Sequence, residues 1–258
     1  MSAPDDAAGW RRLVRAGHAA FGREMVRAAG GPAELYERDL VTALIFPDAP
    51  ERSVFNSVFY EDAGELGGRL AEIAAVYQRA GVRAWTVWAP EDDAGAAAAL
   101  KAAGHRLDAT PRDMALDLAT YELGPGGGGG AELREEYDPS AMARINEVAY
   151  GYPEGEFAPV ERARMEGLRI YFADLDGEPV STLAIWAHQG DAVVVWVATL
   201  PEARSRGMST RLLDRALADA REQGLATSTL QATKLGAPVY EKLGYRDLGA
   251  MNMWERRA

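Results

Sequence analysis

No cysteine occurs among the 258 residues. Disulfides, cysteine–zinc clusters and thiol nucleophiles are therefore excluded together. Histidine is nearly absent too. His18, His105 and His188 lie far apart in sequence and argue against a His-based metal site. No apolar run approaches the ~18 residues of a membrane-spanning helix, and the opening MSAPDDAAGW lacks the pattern of a signal peptide. The expectation is a soluble cytoplasmic chain with no membrane partner. A general basic field is missing as well: 28 Lys and Arg against 39 Asp and Glu give −11, spread over both halves. That balance argues against nucleic acid as a partner. What is present is apolar mass. A 48% hydrophobic fraction builds substantial cores, in one large domain or two ordinary ones.

The break between them is a glycine run. Gly124-Pro125 followed by Gly126–Gly130 carries no side chain to pack and a high ordering cost. It predicts a linker over 124–130 between a first half, 1–123, and a second, 131–258.

The second half reads as alternating strands and helices. A helix is predicted over Asp138–Tyr150, with Asp138 as N-cap, Pro139 at its first position and Gly151-Tyr152-Pro153 as its stop. Strands over Arg169–Leu175 and Pro179–Ala187 meet across Asp176-Gly177, a hairpin signal. Ala192–Thr199 is a β-branched, central-strand run. A helix follows over Met208–Gln223, with Leu212, Leu213, Ala216, Leu217 and Ala220 on one stripe. A strand over Thr227–Ala232, a short helix over Pro238–Leu243 and a last strand near Gly249–Trp254 complete it.

The first half has a similar order: helix Trp10–Ala29, strands Leu40–Phe46 and Val54–Tyr60, helix Gly64–Ala80, strand Arg83–Ala89, helix Asp92–Ala103 and strand Asp113–Leu118. AGVRAWTVWAP aligns with QGLATSTLQAT, and LKAAGHRL with YEKLGYRD. These weak matches in the same order predict a duplication.

The chemistry concentrates after the central strand. There Arg204-Ser205-Arg206-Gly207-Met208-Ser209 joins strand to helix. Unpaired N–H groups at the positive end of a helix dipole, a glycine allowing close approach, the hydroxyls of Ser209 and Thr210 and two arginines suit a pyrophosphate. An ordinary turn capped by Ser209 fits this piece alone equally well. Downstream, Tyr240-Glu241-Lys242-Leu243-Gly244-Tyr245 follows the next strand. Taken together, Arg204-x-x-Gly207-x-Ser209 and this second motif, about 30 residues on, make residues 131–256 resemble the GNAT acyltransferase superfamily. Ser209 stands where that family usually has Gly or Ala, and Thr233 where many members carry Asn.

The resemblance implies an α/β (α+β) fold of two GNAT-like domains, each a mixed, mostly antiparallel sheet flanked by helices. It implies acetyl-CoA as co-substrate and transfer to a small-molecule or peptide amine by direct attack, in a monomer or homodimer. The pyrophosphate would lie on Arg204, Ser205, Arg206, Gly207, Met208, Ser209 and Thr210, near Thr233, and the pantetheine along Val197, Ala198 and Thr199. Tyr240 would protonate the leaving thiolate, since a phenol of pKa ~10 holds its proton at neutral pH beside a thiol of ~8.5. A non-catalytic acyl-CoA-binding or sensing module and an O-acyltransferase are the alternatives. The base stays open among Glu147, Glu154, Glu156 and His188. Tyr150, Tyr152, Phe157 and Trp186 are candidates for pocket walls or core, and the Asn146–Phe157 loop for substrate contact. In the first half, Glu61, Asp62 and Glu65 replace the arginine at the corresponding turn, which predicts a degenerate domain that does not bind CoA. His105 reads there as an ordinary turn residue.

Overall fold

Local chemistry sets most element boundaries. In the computed structural model, which describes residues 3–122, 124 and 130–258, the first half runs α1 (Ala7–Ala29), β1 (Glu34–Arg38), β2 (Val41–Ile45), β3 (Ser57–Tyr60), α2 (Ala63–Arg79), β4 (Ala84–Pro90), α3 (Ala94–Ala102), β5 (Arg106–Ala109) and β6 (Arg112–Asp117). The second runs β7 (Glu132–Glu135), α4 (Pro139–Tyr150), α5 (Ala158–Arg162), β8 (Leu168–Leu175), β9 (Glu178–His188), β10 (Asp191–Thr199), α6 (Met208–Glu222), β11 (Thr227–Ala232), α7 (Ala237–Lys242) and β12 (Arg246–Arg257). Residues 125–129 of the expected linker lie outside the described residues. Among the described residues no helix is long and apolar enough to cross a membrane.

Asp138 caps α4 by accepting from the Ala141 N–H at 2.9 Å, and Gly151, in the left-handed region at φ 70°, ends it. Asp176 and Gly177 both take positive φ, the two-residue turn whose twist matches a hairpin. The elements missed in the sequence are short or weakly marked. β1 turns into β2 through Asp39-Leu40, both at positive φ with no glycine to signal it. β5, β7 and α5 span only four or five residues each.

Among the described residues the strands form one twelve-stranded, mostly antiparallel sheet flanked by helices, with parallel pairing only at β3–β4 and β10–β11. Its order reveals a reciprocal exchange. β6, from the first half, inserts between β11 and the opening stretch of β12, with Asp113 opposite Gln231 and Met114 opposite Leu230. β12, from the second half, bends at Gly249 (φ 112°), and its remainder, Met251–Arg257, inserts between β4 and β5. Each half's sheet is completed by a strand of the other.

Side chains follow the pleat to two faces. On one, Leu183, Val194 and Leu230 pack under α6 with Leu212, Leu213 and Leu217. On the other, Val193, Val195 and Trp186 pack with Ile145 of α4, and with Phe21, Met25 and Val26 of α1, Phe46 and Phe55. That second core is built from both halves. First-half residues also grip the segment after α4: Arg52 donates to Glu156 at 2.7 Å and lies over the Tyr152 ring, Phe55 meets Phe157 edge-on at 5.1 Å, and Arg162 pairs with Asp48.

One buried carboxylate makes stability depend on pH. Asp191, fully buried at the start of β10, accepts from the Thr227 and Thr229 hydroxyls, yet burial pushes its pKa from 3.8 up to about 6. The folded state therefore favours the protonated acid. Stability from this group is full below the unfolded pKa and is lost as pH rises through about 6, by up to roughly 3 kcal/mol. Asp191→Asn is expected to flatten that dependence; urea unfolding at pH 4.5 and 7.5 reads it, and an unchanged pH dependence would refute the assignment.

Candidate active site

The site forms where β10 leaves β11. The two strands pair in parallel only from Asp191–Val193 to Thr227–Thr229. Beyond that, an extra residue between Val195 and Ala198 bulges β10 against β9, with Trp196 at φ 53°. A bulge bends a strand and increases its local twist, so β10 splays away and leaves one edge unpaired. Four carbonyls of this stretch are held by side chains, Ala198 O by Ser181 Oγ at 3.0 Å. Asn146 Nδ2 donates to Trp196 O at 3.3 Å, Tyr150 Oη to Val197 O at 3.0 Å, and Arg204 Nε to Thr199 O at 3.2 Å. Arg204 also reaches the Ala149 carbonyl at 2.7 Å, tying the loop to the end of α4.

After β10, a single 3₁₀ turn over Pro201–Ala203 leads to Ser205 and Gly207, at φ 61° and 73°, and then to α6. Gly207 is the N-cap residue and supplies no side-chain cap. The Arg204 N–H is used within the turn, on Pro201 O, but none of the amides from Ser205 to Thr210 has a backbone acceptor among the described residues. An exposed row of free N–H groups at a helix N-terminus is an anion cradle. Of the sequence-derived residues, Val197–Thr199 lie on the splayed stretch of β10, and Arg204–Thr210 on the turn into α6 and its first residues.

Tyr240, on α7, is 7% exposed and packs edge-on against Tyr245 at 5.8 Å. Its Oη has no hydrogen-bond partner among the described residues. Burial, and then the neighbouring Tyr150, push its pKa up, so it remains a proton carrier at neutral pH. Thr233 Oγ1 accepts from the Gly236 N–H at 3.1 Å, fixing the turn between β11 and α7.

The four acid–base candidates separate. Glu147 is buried and accepts from the Phe157 N–H at 2.8 Å, stapling the loop after α4. Glu156 is paired with Arg52, and Glu154 is exposed. His188 stacks on Trp186 at the β9–β10 turn, the end of β10 remote from α6. Trp186 is core, while Tyr152 and Phe157 lie against the first-half residues Arg52 and Phe55. Asn146 and Tyr150 fell within or beside the loop singled out in the sequence, but their grip on β10 carbonyls had no sequence signal.

The corresponding place in the first half is built differently. β3 and β4 pair only at Ser57–Thr86 and Val58–Val87. The space beyond is filled by Phe59 stacked on Trp88 and by His18 at 5.4 Å from Trp88; burial takes His18 down to about 4 and keeps it neutral. Tyr60 closes the end by donating to Asp93 at 2.8 Å. The start of α2 is capped by its own acid, Asp62, which accepts from the Glu65 N–H at 2.9 Å. His105 is buried edge-on against Trp85 at 4.5 Å, a core residue more than a turn residue.

Residues 166–247, from just before β8 into β12, match the family model of the acetyltransferase (GNAT) domain. No functionally curated protein matches the sequence. Among solved structures, a GCN5-related N-acetyltransferase from Kribbella flavida superposes with a TM-score of 0.70 at 17% identity, over 95% of this chain and 96% of that one. Another from Sphaerobacter thermophilus gives 0.62 at 19% identity, over 99% and 94%. A tandem GNAT protein from the clavulanic acid biosynthesis pathway gives 0.62 at 16%, over 100% and 97%. At these identities the likeness is one of fold, and it spans both halves. The uncapped α6, the splayed β10 and Tyr240 all lie inside the segment that matches the GNAT acetyltransferase model, residues 166–247.

Proposed function

We propose that this chain transfers the acetyl group of acetyl-CoA to an amine of a small molecule or peptide, through its second half. The observation that carries this reading is the pairing of a free-amide helix start at Ser205–Thr210 with a splayed strand edge whose Val197 carbonyl is held by Tyr150, the neighbour that raises Tyr240. The pyrophosphate takes the α6 amides. The pantetheine amides replace Tyr150 and Arg204 on the Val197 and Thr199 carbonyls. The acceptor nitrogen attacks the thioester carbonyl, a β10 N–H near Val197 stabilises the oxyanion, and Tyr240 protonates the departing sulfur. No acyl-enzyme is needed, in keeping with a chain that holds no cysteine.

The first half keeps the fold without the chemistry: its splay is filled with aromatic side chains and its helix start is capped by a carboxylate. One acetyl-CoA per chain is the expected stoichiometry. The test transplants the first half's device into the second. In Gly207→Asp, a carboxylate at the α6 N-cap occupies the amides as Asp62 does on α2, and it repels phosphate. Asp tolerates the left-handed conformation better than most residues, which limits the backbone strain. Calorimetry with acetyl-CoA is expected to give one site in the wild type and at least tenfold weaker binding in Gly207→Asp. Two equivalents bound, or unchanged affinity, would refute the assignment; thiol release against an amine panel then tests the transfer itself.

A further inference from the structure

On the α1 face of the sheet, opposite the face covered by α6, the exchanged strand β6 carries a carboxylate alongside β11, the strand that borders the splay. Thr229 is the last β11 residue paired with β10, so Gln231 is the next side chain on that face, where β10 has begun to separate. Asp113 lies directly across the β6–β11 ladder from it, 2% exposed, and accepts from Gln231 Nε2 at 3.0 Å. A carboxylate offers only acceptors, so the amide nitrogen must face it. Gln231 Oε1 is then left buried with no partner among the described residues. The second oxygen of Asp113 has only Arg15 Nε, at 3.8 Å and beyond hydrogen-bond length. It borders a cleft of about 50 Å³ lined by Arg11 and Arg15 of α1, Glu91 and Asp92 of the β4–α3 loop, and the β12 bend at 248–250. A buried carboxylate with a free oxygen, beside a buried amide acceptor with no donor, is a site that asks for an N–H.

We propose that Asp113 accepts the proton of the attacking amine and that Gln231 Oε1 positions the amine by accepting a second N–H, so that the silent half supplies the base for the active one. This rests on the amine-transfer reading above. The nitrogen lone pair forms the C–N bond as the carbonyl π pair moves to oxygen. The N–H proton then passes to the Asp113 carboxylate. Collapse breaks the C–S bond, and the thiolate takes the Tyr240 proton on the opposite face; solvent returns the proton from Asp113 to Tyr240, giving amide and free CoA. Burial raises Asp113 to about 6, against the lowering by Gln231, Arg15 and Arg11, with Asp247 of β12 raising it further. Glu91 and Asp92 are the other charged groups facing it.

The experiment measures kcat/KM for the best acceptor across pH 5–9, with acetyl-CoA binding measured alongside. The base must be ionised, so wild-type activity is expected to fall as pH drops through about 6. Asp113→Asn is expected to lower kcat more than tenfold and abolish that acid limb, with acetyl-CoA binding unchanged. Gln231→Glu places a like charge beside Asp113 and is expected to move the limb up by about one pH unit. This second variant decides the matter if Asp113→Asn does not fold. Asp113→Asn within threefold of wild type with its acid limb intact, or a limb unmoved in Gln231→Glu, overturns the proposal and leaves the transferase reading standing. A wild type that binds acetyl-CoA but acetylates no amine removes that reading, and this proposal with it.

Discussion

Residues 131–258 expressed alone are expected to fail to fold. The fragment contains the whole matched acetyltransferase segment, yet it lacks β6, which pairs with β11 along Thr227–Ala232 and buries Met114, Ala115 and Leu116. Without it β11 becomes an open, apolar edge, a template for aggregation. The fragment also loses the first-half side of the shared core. Phe21, Met25, Val26, Phe46 and Phe55 are each at most 6% exposed. At roughly 1.5–3 kcal/mol per buried apolar side chain, their removal takes away on the order of 10 kcal/mol, comparable to the whole stability of a typical domain. The second half also leaves Met251–Arg257 without β4 and β5. Circular dichroism melting and analytical size exclusion of the fragment read the result. A cooperative melt with a monomeric peak and intact acetyl-CoA binding would show that the exchange contributes little. Recovery on mixing with a fragment of residues 3–122 would show that the exchanged strands, rather than the covalent link, hold the halves together.

Tyr240→Phe is expected to lower kcat by about 10²–10⁴-fold while acetyl-CoA affinity stays within about threefold. The substitution removes one oxygen from a side chain whose ring packs against Tyr245 and whose hydroxyl has no partner among the described residues to lose, so the fold should be spared. Its chemical effect should be largest on acceptors that need the thiolate protonated as it leaves. The raised pKa, from burial and then Tyr150, sets the sign with pH. Tyr240 stays protonated through the neutral range, so loss of the general acid should depress activity across the profile without shifting the acid limb assigned to Asp113. Steady-state kinetics with intact-protein calorimetry separate the two effects. Unchanged turnover would exclude Tyr240 as the acid.

Much of the second half was legible in the sequence because its signals are local. Asp138, Pro139 and Gly151 bound α4 within one turn of themselves, and β11 begins and ends where the strand over Thr227–Ala232 is predicted. The helix start at Gly207 was readable because it requires a particular residue at a particular φ. The last strand was foreseen as a short segment near Gly249–Trp254. It runs from Arg246 to Arg257 because β6 pairs with its opening stretch and β4 and β5 with its remainder. That could not be read locally: both ends are ordinary strand sequence, and the bend at Gly249 has the same appearance as a terminus.

The absence of cysteine, the glycine turn into α6 and the Tyr240 motif were properties of the sequence by itself, since each depends on residue identity and short spacing. Tertiary structure alone decided which strands complete which half and brought Asp113 to Gln231, 118 positions away. It also filled the first splay with His18, Phe59 and Trp88, drawn from three separate elements. The reason is physical. Capping and turn geometry are settled within a few residues, whereas strand partners are chosen by the burial of faces that meet only when the whole chain has folded.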